Sequence, residues 1–365
     1  MIIYRALYRE ASQATAAILI VLLVVLILFG LTAVLGRAAR GEYAASIVAS
    51  LITWQTVKRL DVLIPLGFYL GVLLTLSRWY RDSEMTVLAA CGVGLPQLLR
   101  PLMVLAVVTA AAAAAASLYL TPLAFRHIEL VKAESAQRPQ LAGIVPGAFT
   151  ETAGGGRIFY VEHIADNGML EYVFLSNLNG RPHVILARSG YPFTDSRTGD
   201  RFIALQDGWA YDGIPGHADY RTIAFETYAV RLESRPLLDI PSTLEGMPTH
   251  ALLSQGDRAT AAEWHWRLSK PLVVPVLAAF ALVLAYTDAR RGRLSNLFTA
   301  VLVYFIYSNL IGIGVTLIKK GHVPAAVGLW WVHILFALVA AYLLVRRAAN
   351  KPLLGAPRFL RHRWS

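Results

Sequence analysis

PLMVLAVVTAAAAAAASLYLTPLAF, residues 101–125, is the stretch that decides the architecture. It carries no charged residue over 25 positions. At about 1.5 Å per residue, a helix of this length crosses roughly 30 Å of hydrocarbon. Further along, residues 157–165 read RIFYVEHIA, a run rich in β-branched and aromatic side chains that is typical of a strand. The chain is therefore predicted to leave a membrane helix and enter a β domain.

Five other charge-free runs predict further membrane helices. They cover residues 11–36, 62–77, 271–287, 294–318 and 321–345. The run at 271–287 is borderline in length, and it suffices if Lys270 snorkels. Hydrophobic residues fill 56% of positions and the mean hydropathy is +0.52, which is typical of membrane proteins. We expect an α-helical membrane protein with six transmembrane helices, three on each side of the inserted domain.

The second span is the shortest, at 16 residues. We expect its helix to begin earlier, near Ala44. It would then carry Lys58, Arg59 and Asp61 at the membrane interface. Pro65 predicts a kink, because its ring removes one backbone hydrogen bond from the helix.

Between the third and fourth spans the sequence period changes from helical to alternating. Strand-like runs lie at residues 157–165, 170–179, 183–188, 202–211 and 220–232, separated by turn clusters rich in Gly, Asn and Asp. Several short strands at this spacing predict a sandwich, a jelly roll or a barrel. Helical patterns flank them, so residues 125–138 should extend the third helix and residues 260–270 should lead into the fourth.

The charges of the two parts differ in sign. Residues 126–267 hold 13 basic and 17 acidic side chains, whereas the rest of the chain holds 21 basic and 6 acidic ones. A mildly acidic inserted domain argues against nucleic acid as a partner. The short flanks place fourteen basic residues on the side of the two termini and six on the other side. This asymmetry predicts cytoplasmic termini and a β domain outside the cytoplasm.

No motif in the chain predicts enzyme chemistry. There is no Gly-Lys pair and hence no P-loop, and the three glycines at 154–156 favour a hairpin loop because no helix follows them. The single cysteine excludes an intrachain disulfide and a cysteine-based metal cluster. For His333, inside the sixth span, a head-group contact or an interhelical hydrogen bond is favoured over a ligand role. We expect no enzyme activity and no cofactor in this chain.

One short segment between the second and third spans differs from the rest. Residues 77–92 read SRWYRDSEMTVLAACG. Asp82 or Ser83 is a candidate side-chain cap for a helix that starts at Glu84, and Gly92 is a candidate end. Residues 82–92 are called the connecting segment below.

The predicted short helix would have a small apolar face made of Met85, Leu88 and Ala89. A permease driven by a separate ATPase needs a rigid contact of this kind, because force must pass between the two proteins. A capped connector without any partner would have the same pattern. The residues alone leave these two interpretations equally open.

The connecting segment resembles part of a known family. DSEMTVL at residues 82–88 and ACG at residues 90–92 are similar to the cytoplasmic coupling segment of the lipopolysaccharide-export permeases, the LptF/LptG family. The resemblance runs from residue 1 to about 345 in the same order and spacing. It includes MIIYR at residues 1–5, LIPL at 63–66, AEWHWRL at 262–268 and RGRL at 291–294.

The resemblance implies a permease subunit of an ATP-driven ABC transporter in the inner membrane of a Gram-negative bacterium. An LptF-like and an LptG-like permease pair over a dimer of LptB-like ATPase subunits, and ATP and Mg belong to that ATPase. Together they extract lipopolysaccharide from the inner membrane. A periplasmic β domain, jelly-roll-like in this family, passes the lipid to an LptC-like protein and a periplasmic bridge.

The resemblance also implies which residues contact the ATPase. They are Asp82, Ser83, Glu84, Met85 and Leu88. In this family the acidic residue of the segment meets a basic residue of the ATPase, and that acidic residue is Glu84 here.

An anionic glycolipid needs cations near the outer surface of the membrane and an apolar path. Arg37 and Arg40 close the first span on that side, and Lys319 and Lys320 close the fifth. Snorkelling of these side chains to the interface is the competing interpretation.

The β domain would supply the apolar path. We expect Phe159, Val173 and Ile185 to face its interior and to receive acyl chains. Ordinary core packing would place each of them there as well.

The predicted organisation has four parts. Residues 1–125 hold spans one to three with the connecting segment, 126–262 the β domain, 263–350 spans four to six, and 351–365 a basic cytoplasmic tail. The alternative function is a membrane-anchored periplasmic binding or scaffold protein without transport. A lipoprotein-releasing or efflux-coupled permease is disfavoured, because such proteins usually carry four helices with the large domain after the first.

Overall fold

The computed structural model describes residues 2–39, 45–137, 146–151, 157–165, 168–177, 183–195, 201–214, 216–218, 220–232, 243–286 and 293–349. The helices are α1 (Ile2–Ala39), α2 (Ala45–Val57), α3 (Leu60–Arg81), α4 (Glu84–Ala90), α5 (Leu95–Ala115), α6 (Thr121–Gln137), α7 (Thr249–Gln255), α8 (Arg258–Leu284), α9 (Arg293–Lys320) and α10 (Trp330–Ala348). A π-helical segment, Ala116–Leu120, joins α5 to α6, and a 3-10 turn, Leu244–Gly246, precedes α7. The strands are β1 (Thr150–Glu151), β2 (Arg157–Ile164), β3 (Leu170–Asn177), β4 (His183–Thr194), β5 (Arg201–Asp212) and β6 (Arg221–Leu232).

Six helices in the described part of the chain are long and apolar enough to cross a membrane. They are α1, α3, α5 with its continuation, α8, α9 and α10. The strands lie between the third and the fourth of them, so the predicted fold class is confirmed. The chain divides into two compact units: a helical unit within residues 1–28, 54–126 and 242–365, and a β unit within residues 29–53 and 127–241.

The helical unit is centred on α3 and α8. Their apolar stretches are mostly covered by protein, whereas α1 and α10 are covered on a small part of their surface. Phe68 and Tyr69 of α3 and Leu277 of α8 are fully buried. Large apolar side chains elsewhere, such as Val107 and Leu338, are exposed, as expected for helices that face lipid.

The expectation that one helix runs from near Ala44 through the second span is wrong. A turn at Lys58 and Arg59 separates α2 from α3. The Arg59 N–H bonds the carbonyl of Thr56 at 3.0 Å, which closes a tighter turn than the α-helix. Two adjacent cations are costly inside a membrane helix, and the break falls at them. α3 continues through Pro65.

The third span extends well beyond its apolar run, as predicted. α5, the π-helical segment and α6 form one continuous helix that ends at Gln137. At the junction the Thr121 N–H bonds the carbonyl of Ala116, five residues earlier, which is the mark of a π turn. The hydroxyl of Ser117 donates to the carbonyl of Arg267 in α8 at 3.0 Å.

The helical lead into the fourth span is confirmed, because α8 begins at Arg258. Asp257 caps it by accepting the Thr260 N–H at 2.7 Å. Hydrogen bonds from the hydroxyl and the N–H of Thr260 lower the pKa of the exposed Asp257 carboxyl. An aspartate directly before a helical pattern is a recognised N-cap, so Asp257 could have marked this helix start from the sequence.

The β unit contains one antiparallel sheet in which each described strand pairs with its neighbours in the chain, in the order β1 to β6. Such a meander is simpler than the crossed connections of a complete jelly roll. Alternate side chains of one face form an apolar core, since Phe159 opposes Leu175 and Leu175 opposes Ile185 across the strands. The sheet therefore has a built interior side, as the alternating sequence pattern predicts.

β4 is twice as long as its predicted run at 183–188. Gly190 and Pro192 interrupt the strand pattern in the sequence, yet both pair with β5. A Cβ on Gly190 would lie 3.0 Å from Leu205 Cδ2, so glycine allows the close packing here. Pairing with β3 ends at Gly190, which leaves Pro192 on an edge where its missing N–H is tolerated.

Candidate functional site

The connecting segment forms a short, well-terminated helix. α4 begins at Glu84, as predicted, and ends in a Schellman motif. The Val93 N–H bonds the carbonyl of Leu88 at 2.9 Å, and the Gly92 N–H bonds that of Ala89 at 3.0 Å. Gly92 has φ +81°, the left-handed conformation that favours glycine. The C-terminal half of the segment is therefore fixed by its own backbone.

The start of α4 differs from the prediction of a side-chain cap. Ser83 holds the N-cap position with φ +59°, and its hydroxyl makes no cap hydrogen bond. Its carbonyl accepts the N–H groups of Thr86 and Val87, both at 3.1 Å. The Asp82 N–H bonds the carbonyl of Arg78 and closes α3. A left-handed non-glycine residue costs about 1–2 kcal/mol, so this tight reversal is held by the surrounding packing.

The apolar face of α4 is turned inward. Met85 is buried in the core of the helical unit, and Leu88 packs partly against the same core. The expected outward face of Met85, Leu88 and Ala89 is therefore wrong for Met85. Val87 is the large apolar side chain that α4 exposes, at 61%. Sequence reasoning missed it because the short helix gives few positions from which to assign a buried side.

The acidic side chains of the segment point outward. Glu84 is exposed in the first turn of α4, where the helix dipole favours a carboxylate. It makes no ion pair or hydrogen bond with the described part of the chain. Asp82 lies 3.8 Å from Arg78 in an exposed pair that contributes little to stability. Together with Val87, these groups present a charged and partly apolar tip.

The base of the connecting segment is tied to α1. A carboxylate oxygen of Glu10 accepts hydrogen bonds from the Trp79 indole, at 2.6 Å, and from the Arg78 guanidinium. Both donors lie in the last turn of α3, directly before the segment. No sequence pattern indicates this contact, because the partners are almost seventy positions apart.

The basic residues predicted to bind lipid lie in different parts of the chain. Arg37 lies in the last turn of α1, and Arg40 lies outside the described residues. Lys319 and Lys320 are exposed in the last turn of α9. Lys320 lines an open groove of about 520 Å³ along α9, with the polar side chains of Ser308, Asn309, Thr316 and His322.

The predicted interior residues of the β unit lie together. Phe159, Val173 and Ile185 are each at most 5% exposed and share one apolar cluster. This packing explains their burial without a ligand. Their contact with acyl chains stays a prediction, which photo-crosslinking from Ile185 to added lipopolysaccharide would test.

Arg267 is a structural residue that makes more hydrogen bonds than the sequence predicts. Its Nε donates to Glu263 at 2.9 Å, the pair that the i,i+4 spacing predicts. Its two terminal nitrogens make four further hydrogen bonds of 2.8–3.1 Å, which the sequence spacing does not predict. The acceptors are the carbonyls of Leu244, Glu245 and Met247 and the hydroxyl of Thr249. All five N–H groups of the side chain are used, and it is 1% exposed.

A small polar cavity inside the helical unit was also missed. Asp61 of α3 and Lys270 of α8 are buried and line a cavity of about 20 Å³ with Tyr304 and Tyr307 of α9. That volume and lining suit one water molecule. Lys270 is 8% exposed and its Nζ lies 3.5 Å from the centre of the Trp266 ring, so the condition that this side chain snorkels is not met within the helical unit. Two residues of opposite charge thus line the same cavity within the span.

The intramembrane histidine makes a hydrogen bond between helices. His333 Nδ1 of α10 lies 2.7 Å from the Tyr307 hydroxyl of α9. His265 Nε2 is 2.8 Å from the carbonyl of Ala325. Within the described ranges no group of three or more His, Cys, Asp or Glu side chains could hold a metal ion.

Comparison with known proteins agrees with the architecture. The family model of the lipopolysaccharide export system permease LptF/LptG matches residues 5–346. Curated proteins named lipopolysaccharide export system permease protein LptF, from Escherichia coli (strain K12) and Shigella flexneri, are each 29% identical over 351 residues. The match covers 94% of this chain and 94% of each of theirs. It includes the connecting segment and the inserted β unit.

Proposed function

The chain belongs to the LptF/LptG family of lipopolysaccharide export permeases, and from this we propose that it is one of two permeases of an ATP-driven exporter. In that assembly it sits in the inner membrane of a Gram-negative bacterium with both termini in the cytoplasm. A second, LptG-like permease completes the membrane part. A dimer of LptB-like ATPase subunits supplies ATP hydrolysis, because this chain carries no P-loop.

The connecting segment carries the proposal. It is a seven-residue helix, fixed at its end by backbone hydrogen bonds and anchored by Met85 in the core. Glu84 and Val87 remain exposed and without a partner in the described chain. A rigid tip with one unpaired carboxylate and one exposed apolar group suits a contact through which an ATPase transmits force. We infer that Glu84 meets a cation of the ATPase.

The lipid path is the second part of the proposal. Lys320, with a polar groove beside it, and Lys319 are suited to phosphate groups of lipopolysaccharide at the outer surface of the membrane. Arg37 and Arg40 would act on the same lipid. The β unit, placed in the periplasm, would hand the lipid to an LptC-like protein and the bridge beyond it.

Replacing Glu84 with Ala tests the coupling role. The complex would be purified with its ATPase and partner permease and reconstituted with lipopolysaccharide. Loss of a charge-assisted contact is expected to lower the lipid released per ATP by about tenfold. The matched control is Glu226→Ala, which removes an exposed carboxylate from β6.

Two outcomes would contradict the proposal. One is full transport by a permease that purifies without any ATPase. The other is unchanged release by Glu84→Ala together with tolerance of substitutions throughout the connecting segment, which a membrane-anchored scaffold would show.

A further inference from the structure

We propose that Glu10 is a positioning residue that latches α1 to the base of the connecting segment, so that movement of the segment is transmitted to α1. The inference rests on the proposed ATP-driven function. It adds a path inside this chain along which the push of the ATPase would reach the first membrane span.

The latch joins charged and aromatic groups from two helices. Glu10 Oε2 accepts from the Trp79 indole N–H and from the Arg78 guanidinium. Trp79 is 2% exposed, so its ring is fixed, and its N–H is directed by the surrounding core. Hydrogen bonds to a charged carboxylate are about twice as strong as neutral ones. Glu10 therefore holds the end of α3 by two bonds at one oxygen.

In the turns of α1 that follow Glu10, α1 and α3 lie so close that the backbone of one helix approaches the backbone of the other. A Cβ on Gly71 would lie 2.6 Å from the Thr15 nitrogen and 2.7 Å from its Cα. A Cβ on Gly67, one turn away, would lie 2.6 Å from the side chain of Leu19. Two glycines four positions apart allow such close packing of membrane helices. One turn further along α3, the hydroxyl of Thr75 donates a hydrogen bond to the Glu10 carbonyl at 3.5 Å.

The connecting segment is rooted in the same core. Met85 of α4, Trp79 of α3 and Leu7 of α1 all belong to one cluster of buried apolar side chains. Ala11, one residue after Glu10, is fully buried. The first third of α1, the end of α3 and α4 therefore form one packed body.

Beyond its contacts with α3 at Thr15 and Leu19, the next part of α1 is exposed. From residue 20 to residue 28 no side chain is buried, and Ile20, Val21 and Leu28 are each more than half exposed. Within the helical unit, α1 is thus held by its residues up to Leu19. A tilt of the connecting segment would therefore also tilt the exposed part of this span, and Glu10 lies where α1 is joined to the end of α3.

The test compares three variants in the complete complex with ATPase and partner permease. Glu10→Gln keeps the shape of the side chain and removes its charge. Glu10→Asp keeps the charge on a shorter arm. Arg9→Gln removes an exposed charge from the same turn of α1 and is the control.

Spin labels report the coupling directly. Cys91, the single and exposed cysteine, takes one label, and Gln13→Cys on α1 takes the other. In the labelled protein that keeps Glu10, the distance between the two labels should be narrowly distributed. Glu10→Gln should broaden it and reduce lipid release per ATP by about tenfold, while ATP hydrolysis changes by less than about twofold. Glu10→Asp should keep release within about threefold of the parent protein.

The outcomes separate the inference from the function on which it rests. A narrow, unchanged distance distribution and normal release in Glu10→Gln would overturn the latch. A parent complex that releases no lipid with ATP would overturn the proposed function, whereas the distance measurement would still decide whether Glu10 holds α1. If Glu10→Gln does not fold, Trp79→Phe removes one of the two bonds and should give an intermediate loss of release; normal release would contradict the latch.

Discussion

Arg267 supplies hydrogen bonds to backbone carbonyls in a segment that has little regular secondary structure. The carbonyls of Leu244, Glu245 and Met247 lie at a 3-10 turn and just after it, and they have few helical partners. The planar guanidinium reaches all three and Glu263 at once, which an ammonium group could not do. One side chain thereby fastens the segment that returns to α8.

Replacing Arg267 with Lys should lower the stability of the permease. At least two part-buried carbonyls would lose their donors, which corresponds to about 1–3 kcal/mol of unfolding free energy. Thermal unfolding of the purified protein in nanodiscs measures the effect. Arg258→Lys, an exposed change in the same helix, is the control and should leave the melting temperature nearly unchanged. Equal melting curves for the two variants would contradict the assigned role.

The sequence predicted single residues unevenly. The i,i+4 spacing identified Glu263 and Arg267, and the residue types identified Gly92 as the end of α4. The contacts of Glu10 and the shared cavity of Asp61 and Lys270 could not be found in this way. Their partners are far apart in the chain, and only packing brings them together.

At the scale of elements, the contact of α1 with α3 depends on two glycines that are not equivalent. Gly71 faces backbone atoms of Thr15, whereas Gly67 faces the side chain of Leu19. A side chain can rotate away, but a backbone atom moves only if the helix moves. Residue type and spacing are the same at both positions, so the sequence could not rank them.

Gly71→Ala should therefore be destabilising and Gly67→Ala nearly neutral. Overpacking against backbone is expected to cost about 1–3 kcal/mol at Gly71. At Gly67 the helix propensity of alanine, about 1 kcal/mol, offsets most of the side-chain rearrangement. The melting temperatures of the two variants in nanodiscs give the comparison. A larger loss at Gly67 would show that the helices do not approach in this way.

Element boundaries were predictable where charge and apolar length decide them. The six spans and the extension of the third helix follow from the sequence. The break at Lys58 and Arg59 did not, because an apolar run on both sides conceals it. β4 was predicted too short, since Gly190 and Pro192 are tolerated by local pairing that no single strand reveals.

For the whole molecule, the basic residues of the short flanks predict which side each loop occupies. Charge asymmetry fixes orientation at insertion, so the connecting segment should lie in the cytoplasm and the β unit outside. The alternation of apolar and polar runs identified the plan of the chain. It did not predict the meander order of the strands, because several β topologies share the same pattern.

The single cysteine gives a direct test of this orientation. In intact spheroplasts a membrane-impermeant maleimide should leave Cys91 unlabelled and should react once the membrane is opened. A Cys91→Ala/Thr222→Cys protein places the thiol on exposed β6 and should be labelled without opening. Labelling of Cys91 in intact spheroplasts would reverse the proposed topology.

The π turn at Ala116–Leu120 lets this helix hold one extra residue without changing the direction that later side chains face. The turn accommodates one residue more than an α-helix would. Deleting that residue would convert the turn to a regular α-helix of almost the same length, and the later side chains would keep nearly the same facing. A deletion in the regular part of α5 would instead rotate every later position by about 100°. This turn is therefore the point of the helix that should best tolerate the loss of one residue.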